Sequence, residues 1–410
     1  MKIQIIYLIS FLILFTGCNN DDINFADITK ERKDIVLSRS EEMLAEESTD
    51  FAFRYFQRVN QSETKKANWM VSPLSASMTL GMLSNGAATN TLEEIKATLG
   101  FSDSDLNKMN TFYQKLTTQL PDLDNTSKLS IANSIWINKE YSVYESFVDI
   151  NKDMYGAMID RLNFSSEGTI KAINNWCADN TNGKIRKVIS KLPSNIDIYL
   201  LNALYFKGIW KKKFKEKNTK QENFTNANGS ISQVPMMNQK ESFAYIYDDS
   251  FSAAIFPYGN GSFEMVVILP NEEVSLDTIL EKLTYENWRV WYEQRYSQEL
   301  IVKLPRFEIF YEKDLRDVMR TMGMRDAFEE DADFSSLSPS NLQLNILNQY
   351  SYIKVNEEGT EAVSVTNASG TISAPLPEIP EPFYANRPFA FIIKEQSTGT
   401  ILFMGKVTEL

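Results

Sequence analysis

The stretch from Asn356 to Pro382 constrains the fold of this 410-residue chain more than any other stretch. Its first half alternates with a period of two, the spacing of side chains along one face of a β-strand. One set of alternate residues is small and uncharged: Thr360, Ala362, Ser364, Thr366, Ala368 and Gly370. The intervening set starts with Glu361, Val363 and Val365. A strand with such small side chains on one face can enter a crowded sheet interior without overpacking it.

The second half of the same stretch predicts the opposite behaviour. It reads A-P-L-P-E-I-P-E-P from Ala374 to Pro382, and its prolines exclude a central strand and favour an exposed, extended chain. Gly359, just upstream of Thr360, would supply a hinge. The stretch is therefore either a surface linker or a segment that can leave the surface and join a sheet.

Composition excludes several classes of function. An apolar content of 43% is enough for a large buried core, so most of the chain is predicted to be folded. The formal net charge of -12 argues against nucleic-acid binding, which needs a basic face. The chain has no histidine, which excludes Ser-His-Asp and Cys-His catalysis and every histidine-containing metal site. We therefore expect no enzyme activity, no metal site and no cofactor.

The first residues resemble a bacterial lipoprotein signal. Lys2 precedes an apolar run from Ile3 to Phe15 that is short for a membrane span, and the small residues before Cys18 resemble a lipobox, whose cysteine is lipidated. This pattern predicts a signal peptide over residues 1–17, a lipid on Cys18 and a tether over residues 18–47. The alternative is an ordinary signal peptide with an incidental cysteine. With Cys18 lipidated, Cys177 has no disulfide partner and is expected to be a small buried hydrophobe.

The residues after Cys18 extend this interpretation. The tract from Asn19 to Asp22 is polar and acidic, and it resembles surface-display signals of some bacterial lipoproteins. We therefore expect the chain in a bacterial cell envelope, on the outer-membrane surface and facing outward. The membrane would be contacted through the lipid anchor only.

The body from Ser48 to Leu410 is predicted to be one α+β domain, with helices mostly in its first half and strands mostly in its second. Helical patterns cover Ser48–Val59, the segment from Pro73 to Leu83, Thr91–Leu99, Phe147–Met158, Ala172–Asn180, Leu276–Leu283 and Lys313–Met322. Strand patterns cover the segment from Asn68 to Pro73, Leu129–Asn138, Ile198–Lys207, Phe243–Tyr247, Ala253–Pro257, Phe263–Leu269, Leu300–Phe310, Phe389–Ile393 and Thr400–Gly405.

Six segments of the chain, taken in order, resemble the serpin family. They are Asn68 with Ser72, Pro73 and Ser75; A-N-S-I-W at 132–136; N-T-N-G-K-I at 180–185; N-A-L-Y-F-K-G-I-W at 202–210; E-E-G-T-E-A at 357–362; and R-P-F-A-F at 387–391 with I-L-F-M-G at 401–405. They are spread over nearly all of residues 48–410. Each is weak alone, but all six occur in the order in which the family has them, which makes the match specific.

The resemblance implies a fold and a mechanism. The fold would have three β-sheets, eight or nine helices and an exposed reactive loop over residues 359–382. An inhibitory serpin is cleaved in this loop by its target protease, stays covalently attached to the protease's serine, and inserts the loop as a new strand of its central sheet. The matching hinge residues are Glu357, Gly359, Thr360, Glu361, Ala362, Ser364 and Thr366.

The resemblance also assigns residues that control opening of the sheet. Trp210, Arg306 and Glu357 match the point where insertion begins, with Arg306 and Glu357 as an ion pair. Four further residues match the polar cluster that gates the sheet: Ser72, Ser75, Asn202 and Gln349. Many serpins have histidine in this cluster. Glutamine can donate and accept hydrogen bonds but does not titrate, so a pH-sensed gate is not expected.

The reactive bond is left open among Thr371, Ile372, Ser373, Ala374 and Leu376, because counts from the two ends of the loop disagree by about four residues. Residues 359–382 contain no Lys, no Arg and no aromatic residue. A trypsin-like pocket therefore has no cation to bind, and small or aliphatic side chains suit elastase-like or subtilisin-like proteases.

Two functions stay open at this point. The first is a monomeric suicide inhibitor of serine proteases, and cysteine proteases are an additional candidate target. The alternative is a non-inhibitory serpin-fold binding protein on the cell surface. Val363 and Val365 are larger than the usual alanines of a hinge, which keeps the alternative open.

Overall fold

The computed structural model describes residues 30–193, 196–340, 342–360 and 381–410. The predicted signal peptide and Cys18 lie outside these residues, as do these hinge and reactive-bond candidates: Glu361, Ala362, Ser364, Thr366, Thr371, Ile372, Ser373, Ala374 and Leu376. No helix within the described ranges is both long enough and apolar enough to cross a bilayer.

The described residues form nine α-helices and fifteen strands. The helices are α1 (Arg39–Ser62), α2 (Pro73–Ser84), α3 (Thr89–Leu99), α4 (Leu106–Gln119), α5 (Glu145–Tyr155), α6 (Glu167–Asn180), α7 (Leu276–Lys282), α8 (Tyr285–Glu293) and α9 (Arg316–Thr321). The strands are β1 (Trp69–Val71), β2 (Lys128–Asn138), β3 (Met158–Leu162), β4 (Ile198–Ile209), β5 (Lys220–Thr225), β6 (Ile231–Tyr247), β7 (Phe251–Pro257), β8 (Phe263–Pro270), β9 (Tyr296–Pro305), β10 (Phe307–Asp314), β11 (Asn348–Asn356), β12 (Gly359–Thr360), β13 (Glu381–Tyr384), β14 (Phe389–Glu395) and β15 (Ile401–Val407).

The strands form three sheets. A central sheet has six strands in the order β10-β11-β12-β4-β2-β3. The other nine strands form one hydrogen-bonded network, in which the long strand β6 pairs with β5 and β9 through one part and with β7 through its last residues. Because β6 passes between two groups of strands, this network divides into two sheets. The predicted α+β fold with three sheets and eight or nine helices is confirmed.

In the central sheet, the backbones of β4 and β11 are not paired with each other over most of their length. Its strands β4 and β11 are joined only through the two residues of β12, and no direct pairing links them within the described ranges. Below β12 the two strands approach each other, and the Tyr199 and Tyr350 side chains meet across them. We call this line between β4 and β11 the gap, because an added strand would have to part the two strands there. Each neighbour of the gap presents alternate side chains to the two faces of the sheet.

Two layers cover the central sheet. On its inner face lies α2, all of whose residues are buried, and residues such as Leu204 and Ile353 join the main hydrophobic core there. On its outer face lies α6, where Ile173 and Cys177 pack against Tyr199 of β4. Burial raises the pKa of the Cys177 thiol to about 12, which keeps it protonated and unreactive.

The folded body begins before the predicted boundary at Ser48. Helix α1 starts at Arg39, and the Glu41 carboxylate accepts a hydrogen bond of 2.7 Å from the Ser38 amide at its N-terminus. Ile35 and Leu44 are buried against the core. The last part of the predicted tether over residues 18–47 therefore contains the start of α1 and residues that pack against the core. Because the few apolar residues of this polar segment lie on one face of a helix, low overall hydrophobicity concealed the buried contact.

The strand predicted from Leu300 to Phe310 is in fact two strands in different sheets. Strand β9 pairs with β6 and ends at Pro305, whereas β10 starts at Phe307 and pairs with β11 of the central sheet. Arg306 lies at the corner between them, and its amide donates a hydrogen bond of 2.9 Å to the Pro235 carbonyl. A continuous apolar run cannot show where a chain changes sheets. This corner places Arg306 at the end of the central sheet that holds β12.

Candidate functional site

The first two residues of the predicted loop are already part of the central sheet. In β12, Gly359 pairs with Ile209 of β4 and Asn356 of β11, and Thr360 pairs with Gly208 and Val355. The pairing is antiparallel on both sides. The chain therefore enters the sheet at the top of the gap, at the residue where the alternation of small side chains begins.

Gly359 can be only glycine in this position. Its φ is +146°, a conformation that L side chains rarely adopt, and a Cβ atom built on it would lie 2.0 Å from the Gly208 carbonyl oxygen. The missing side chain lets the backbone turn from β11 into the sheet beside β4. The hinge predicted at Gly359 thus has a geometric basis.

Thr360 fixes which face of the strand points inward. It is buried, and its Oγ1 lies 2.6 Å from the phenol oxygen of Tyr258, a residue of the main core. Burial raises the pKa of the Tyr258 phenol, partly offset by this hydrogen bond, so the phenol is uncharged. The face of β12 that carries Thr360 is therefore the inward face.

The predicted ion pair between Arg306 and Glu357 is present. The guanidinium donates to both carboxylate oxygens at 2.7–2.9 Å, and Thr219 donates a further hydrogen bond to the same carboxylate. The Glu357 side chain is 3% exposed, whereas that of Arg306 is 43% exposed. Burial by itself would raise the pKa of Glu357, but the hydrogen bonds from Arg306 and Thr219 outweigh it and hold the pKa below its ordinary value.

Trp210 holds the hinge from the side of β4. Its amide donates to the Glu358 carbonyl at 2.8 Å, and its indole Nε1 donates to the Asn356 carbonyl at 2.9 Å. The indole stacks on the ring of Tyr258, with centroids 4.4 Å apart and an interplanar angle of 11°. Lys213 adds an ion pair of 2.8 Å with Glu358. The hinge from Glu357 to Thr360 is thus restrained by backbone, aromatic and ionic contacts together.

Gln349 links strand β11 to helix α2 through three hydrogen bonds. Its Oε1 accepts from the Ser72 amide at 2.9 Å and from the Tyr55 hydroxyl at 3.0 Å, and its Nε2 donates to the Ser72 carbonyl at 2.7 Å. Ser72 in turn caps α2 by accepting from the Ser75 amide at 3.3 Å. Three of the four predicted gate residues therefore share one buried network.

Asn202, the fourth predicted gate residue, belongs to a separate network on β4. Its Nδ2 donates to Asn133 at 2.6 Å, and Asn133 donates to the Tyr155 carbonyl at 2.7 Å. Its Oδ1 is buried without a hydrogen-bond partner, and so is the Oγ of Ser351 on β11. Both residues have the inward-facing parity of their strands, one on each side of the gap. Unpaired buried polar atoms are costly in a sheet interior.

Several residues of this site carry no signal in the sequence. Tyr258, Thr219 and Tyr55 hold the hinge or the gate, yet none belongs to a segment that resembles a family motif. Their roles follow from long-range packing, which a local pattern does not encode. Within the described ranges, no group of acidic, cysteine or histidine side chains is arranged to hold a metal ion.

Comparison with known proteins finds relatives of this chain. A family model described as Serpin (serine protease inhibitor) matches residues 46–410. Human Serpin B3 is 34% identical over 386 residues, which cover 88% of this chain and 98% of that protein.

Two solved structures extend the comparison. The thermophilic serpin Tengpin in its native state superposes with a TM-score of 0.83 at 30% identity, covering 93% of this chain and 97% of Tengpin. Thyroxine-binding globulin in complex with thyroxine superposes with a TM-score of 0.81 at 28% identity, covering 90% of this chain and 99% of the globulin.

Proposed function

Because this chain belongs to the serpin family, we propose that it is a suicide-substrate inhibitor of serine proteases, with residues 359–382 as its reactive loop. The observation that carries the proposal is the position of β12. Gly359 and Thr360 pair with β4 and β11 at the mouth of the gap, and Thr360 already points inward. A strand that continued from Thr360 would complete the central sheet.

The covalent step uses the chemistry of the target protease. Its serine Oγ attacks the carbonyl carbon of the reactive bond, and the protease's own base takes the hydroxyl proton. The peptide bond breaks, the proton passes to the leaving amine, and the serine keeps the loop as an acyl ester. If the loop then enters the gap before water hydrolyses this ester, the protease stays attached. This chain supplies the substrate bond and the sheet, and it needs no catalytic residue of its own.

The register of β12 supports insertion of the small residues. Thr360 pairs with Gly208 and Val355, so each further loop residue moves one residue down each neighbouring strand. Four steps place Ser364 between Leu204 and Ser351, and six steps place Thr366 between Asn202 and Gln349. The hydroxyls of Ser364 and Thr366 would thus arrive beside Ser351 and Asn202, the residues whose buried oxygens lack partners. Insertion in this register would give both oxygens hydrogen-bonding groups.

The loop is long enough for its insertion to move the attached protease to the opposite end of the sheet. About fourteen inserted residues at roughly 3.3 Å each move the attached end by on the order of 45 Å. This distance crosses a domain of this size, so the protease would be carried to the opposite end of the sheet. Its active site would be distorted against the body of the inhibitor.

We also propose an elastase-like or subtilisin-like specificity. The candidates Thr371, Ile372, Ser373, Ala374 and Leu376 offer only small or aliphatic side chains. A shallow or apolar specificity pocket accepts such residues, whereas a pocket with a buried carboxylate needs a cation. Cysteine proteases of similar preference are a further candidate target.

The decisive experiment is incubation of residues 19–410 with pancreatic elastase, a subtilisin and trypsin, followed by denaturing gels. We expect a band at the summed mass with elastase or subtilisin and none with trypsin. Mass spectrometry of the released peptide would identify the reactive bond. A protease with its active-site serine already blocked is the control and should give no complex.

Loop cleavage without a covalent complex, with every protease tested, would contradict the inhibitor proposal. It would favour the alternative of a non-inhibitory binding protein, for which the structural similarity to thyroxine-binding globulin is the supporting observation. Binding screens with small apolar ligands would then be the next measurement.

We further propose that the chain is a lipoprotein of a bacterial envelope, anchored through Cys18 and displayed on the outer-membrane surface as a monomer. The support is the sequence alone: a short apolar run followed by small residues and cysteine. Mass spectrometry of the amino-terminal peptide from a membrane fraction should find a diacylglyceryl group on Cys18. A Cys18→Ala variant should leave that fraction, and protease treatment of intact cells should release only the surface-displayed form.

A further inference from the structure

A row of three lysines and one glutamate crosses the outer face of the central sheet just below the hinge. Lys128 of β2 lies directly opposite Lys207 of β4, and Lys354 of β11 lies directly opposite Glu308 of β10. The row thus runs from β2 to β10 and is interrupted only by the gap between Lys207 and Lys354. All four side chains have the outward parity of their strands.

The position between Lys207 and Lys354 lies one residue below Thr360, the last hinge residue paired in the sheet. Thr360 pairs with Gly208 and Val355, so the next position down lies between Lys207 and Lys354. Residues paired across adjacent strands have Cβ atoms about 5 Å apart. A side chain at this position would therefore be within reach of both lysines at once. We call these two lysines the lysine slot.

The charge of the row is unbalanced. The Lys354 ammonium pairs with Glu308 at 3.3 Å, and Lys213 pairs with Glu358 next to the hinge. Lys207 instead faces Lys128, and like charges directly opposite each other on a sheet are destabilising. This concentration of positive charge occurs in a chain whose formal net charge is -12. The row therefore favours the arrival of a carboxylate.

We propose that the lysine slot receives the carboxylate of Glu361 as the first step of loop insertion, and this rests on the proposed inhibitory function. Glu361 follows Thr360 directly in the sequence, so a β12 strand extended by one residue, about 3.3 Å, would place it at the slot. Because Thr360 points inward, the next residue of a continued strand points outward, toward the lysines. The slot thus selects an acidic residue at this loop position.

The slot gives the first step of insertion an electrostatic driving force. Partly exposed ion pairs contribute modestly one by one, but two lysines act on one carboxylate here. The step should therefore be faster at low ionic strength, where exposed charges are screened least. Because the protease is trapped only if insertion precedes hydrolysis of the acyl ester, a faster first step raises the fraction of cleaved molecules that retain the protease.

A charge-exchange series tests this inference. The variants are Glu361→Lys, the double variant Lys207→Glu with Lys354→Glu, and the triple variant that combines all three changes. The double variant Lys211→Glu with Lys215→Glu is the matched control, because it makes the same change in net charge at exposed lysines outside the row. The readouts are the stoichiometry of inhibition and the rate at which the loop-cleaved chain gains resistance to thermal unfolding.

We expect insertion to slow roughly tenfold in Glu361→Lys and in the double slot variant, and to recover in the triple variant, where opposite charges again meet. The Lys211/Lys215 control should insert at the wild-type rate. Equal insertion rates in all variants would contradict the proposed role of the lysine slot. A triple variant as slow as Glu361→Lys and the double slot variant would contradict it as well.

The second readout separates failure of the slot from failure of the proposed function. Because insertion after cleavage needs no trapped protease, it is measurable even if no covalent complex forms. A wild-type chain that inserts and inhibits normally, with no effect of the charge changes, contradicts the slot alone. A wild-type chain that is cleaved but neither inserts nor inhibits contradicts both proposals.

Discussion

Among individual residues, Glu357 shows most clearly how the hinge is restrained. Its carboxylate is almost fully buried, yet its cationic partner Arg306 remains partly in water. The pair is therefore asymmetric. Loss of the carboxylate would leave a partly solvated arginine, whereas loss of the arginine would leave a buried charge without a cationic partner, held by hydrogen bonds such as that from Thr219.

The substitution Arg306→Ala is expected to lower the free energy of unfolding by about 1–3 kcal/mol, because the buried Glu357 carboxylate loses its charged partner. Chemical denaturation with urea measures this change. Arg316→Ala serves as the control, since it removes a pair with Asp314 in which both side chains are well exposed. Equal destabilisation by the two substitutions would contradict the proposed difference between the buried and exposed carboxylates.

The same ion pair predicts sensitivity to acid. Because the folded-state pKa of Glu357 lies below its ordinary value near 4.5, the pair stabilises the fold above that pH. This stabilisation is lost as the pH falls through the folded-state pKa. We therefore expect the wild type to lose more stability than Arg306→Ala between about pH 5 and pH 3. Urea midpoints across this range test the prediction, and parallel curves would refute it.

The hydrogen bond between Thr360 and Tyr258 predicts a non-additive pair of substitutions. Thr360→Val leaves the Tyr258 hydroxyl buried without a partner, and Tyr258→Phe leaves the Thr360 hydroxyl unpaired. Each is expected to cost about 1–3 kcal/mol, whereas the double variant should cost clearly less than the sum. Strict additivity in unfolding measurements would show that the two hydroxyls do not interact.

At the level of elements, α2 and β11 act as one unit through Gln349. The helix is buried along its whole length, and its N-terminal cap at Ser72 is also the residue that Gln349 holds. Movement of β11 away from β4 therefore requires either breakage of these hydrogen bonds or movement of the helix with the strand. In the proposed mechanism, this coupling sets the resistance of the sheet to opening.

Gln349→His would create the chain's single histidine and make this unit sensitive to pH. Burial lowers the pKa of an imidazole, while the unfolded-state value stays at about 6.5, so the fold should lose stability as the pH falls below that value. The protonated ring also cannot accept the hydrogen bonds that Gln349 accepts. We expect the difference in Tm between wild type and variant to be larger at pH 5.5 than at pH 7.5. An unchanged difference would mean that the side chain at 349 is not buried as described.

The sequence was most informative about elements with a strong local period and least informative about their boundaries. Strand β4 followed from a continuous apolar run, and the inward position of Thr360 followed from the small alternate set to which it belongs. The start of α1 and the division between β9 and β10 did not, because each depends on a distant surface that the segment packs against. The Arg306–Glu357 pair was found by family resemblance, but the contributions of Tyr258 and Thr219 required the folded structure.

For the whole molecule, the main feature is a central sheet whose strands β4 and β11 are joined by backbone pairing only through β12 within the described residues. The stretch of chain that follows β12 has a sequence suited to become a strand between them. The sheet is covered on both faces below the lysine row, so an added strand would be buried on both sides there. Strands in such positions form more favourable contacts than they do at an exposed edge. The form with β12 alone is therefore expected to be less stable than the form with a complete strand.

Cleavage of the loop should accordingly stabilise the chain. If each of about fourteen inserted residues contributes about 1 kcal/mol net, Tm should rise by on the order of 10–20 °C. Differential scanning calorimetry before and after cutting with a non-target protease measures this rise. A cut within the exposed turn at residues 228–230 is the control, and it should not stabilise the fold. A fall in Tm after loop cleavage would contradict insertion.

The seating of Gly359 and Thr360 also has a kinetic meaning. A strand that is entirely detached from a sheet must first find its register and meet the entropy cost of closing a loop. A strand with two residues in place has already passed this nucleation step, and it grows as a zipper does, one residue after another. In the proposed mechanism, the protease is trapped if the strand is extended faster than the acyl ester is hydrolysed. The starting register of that strand is fixed before any protease binds.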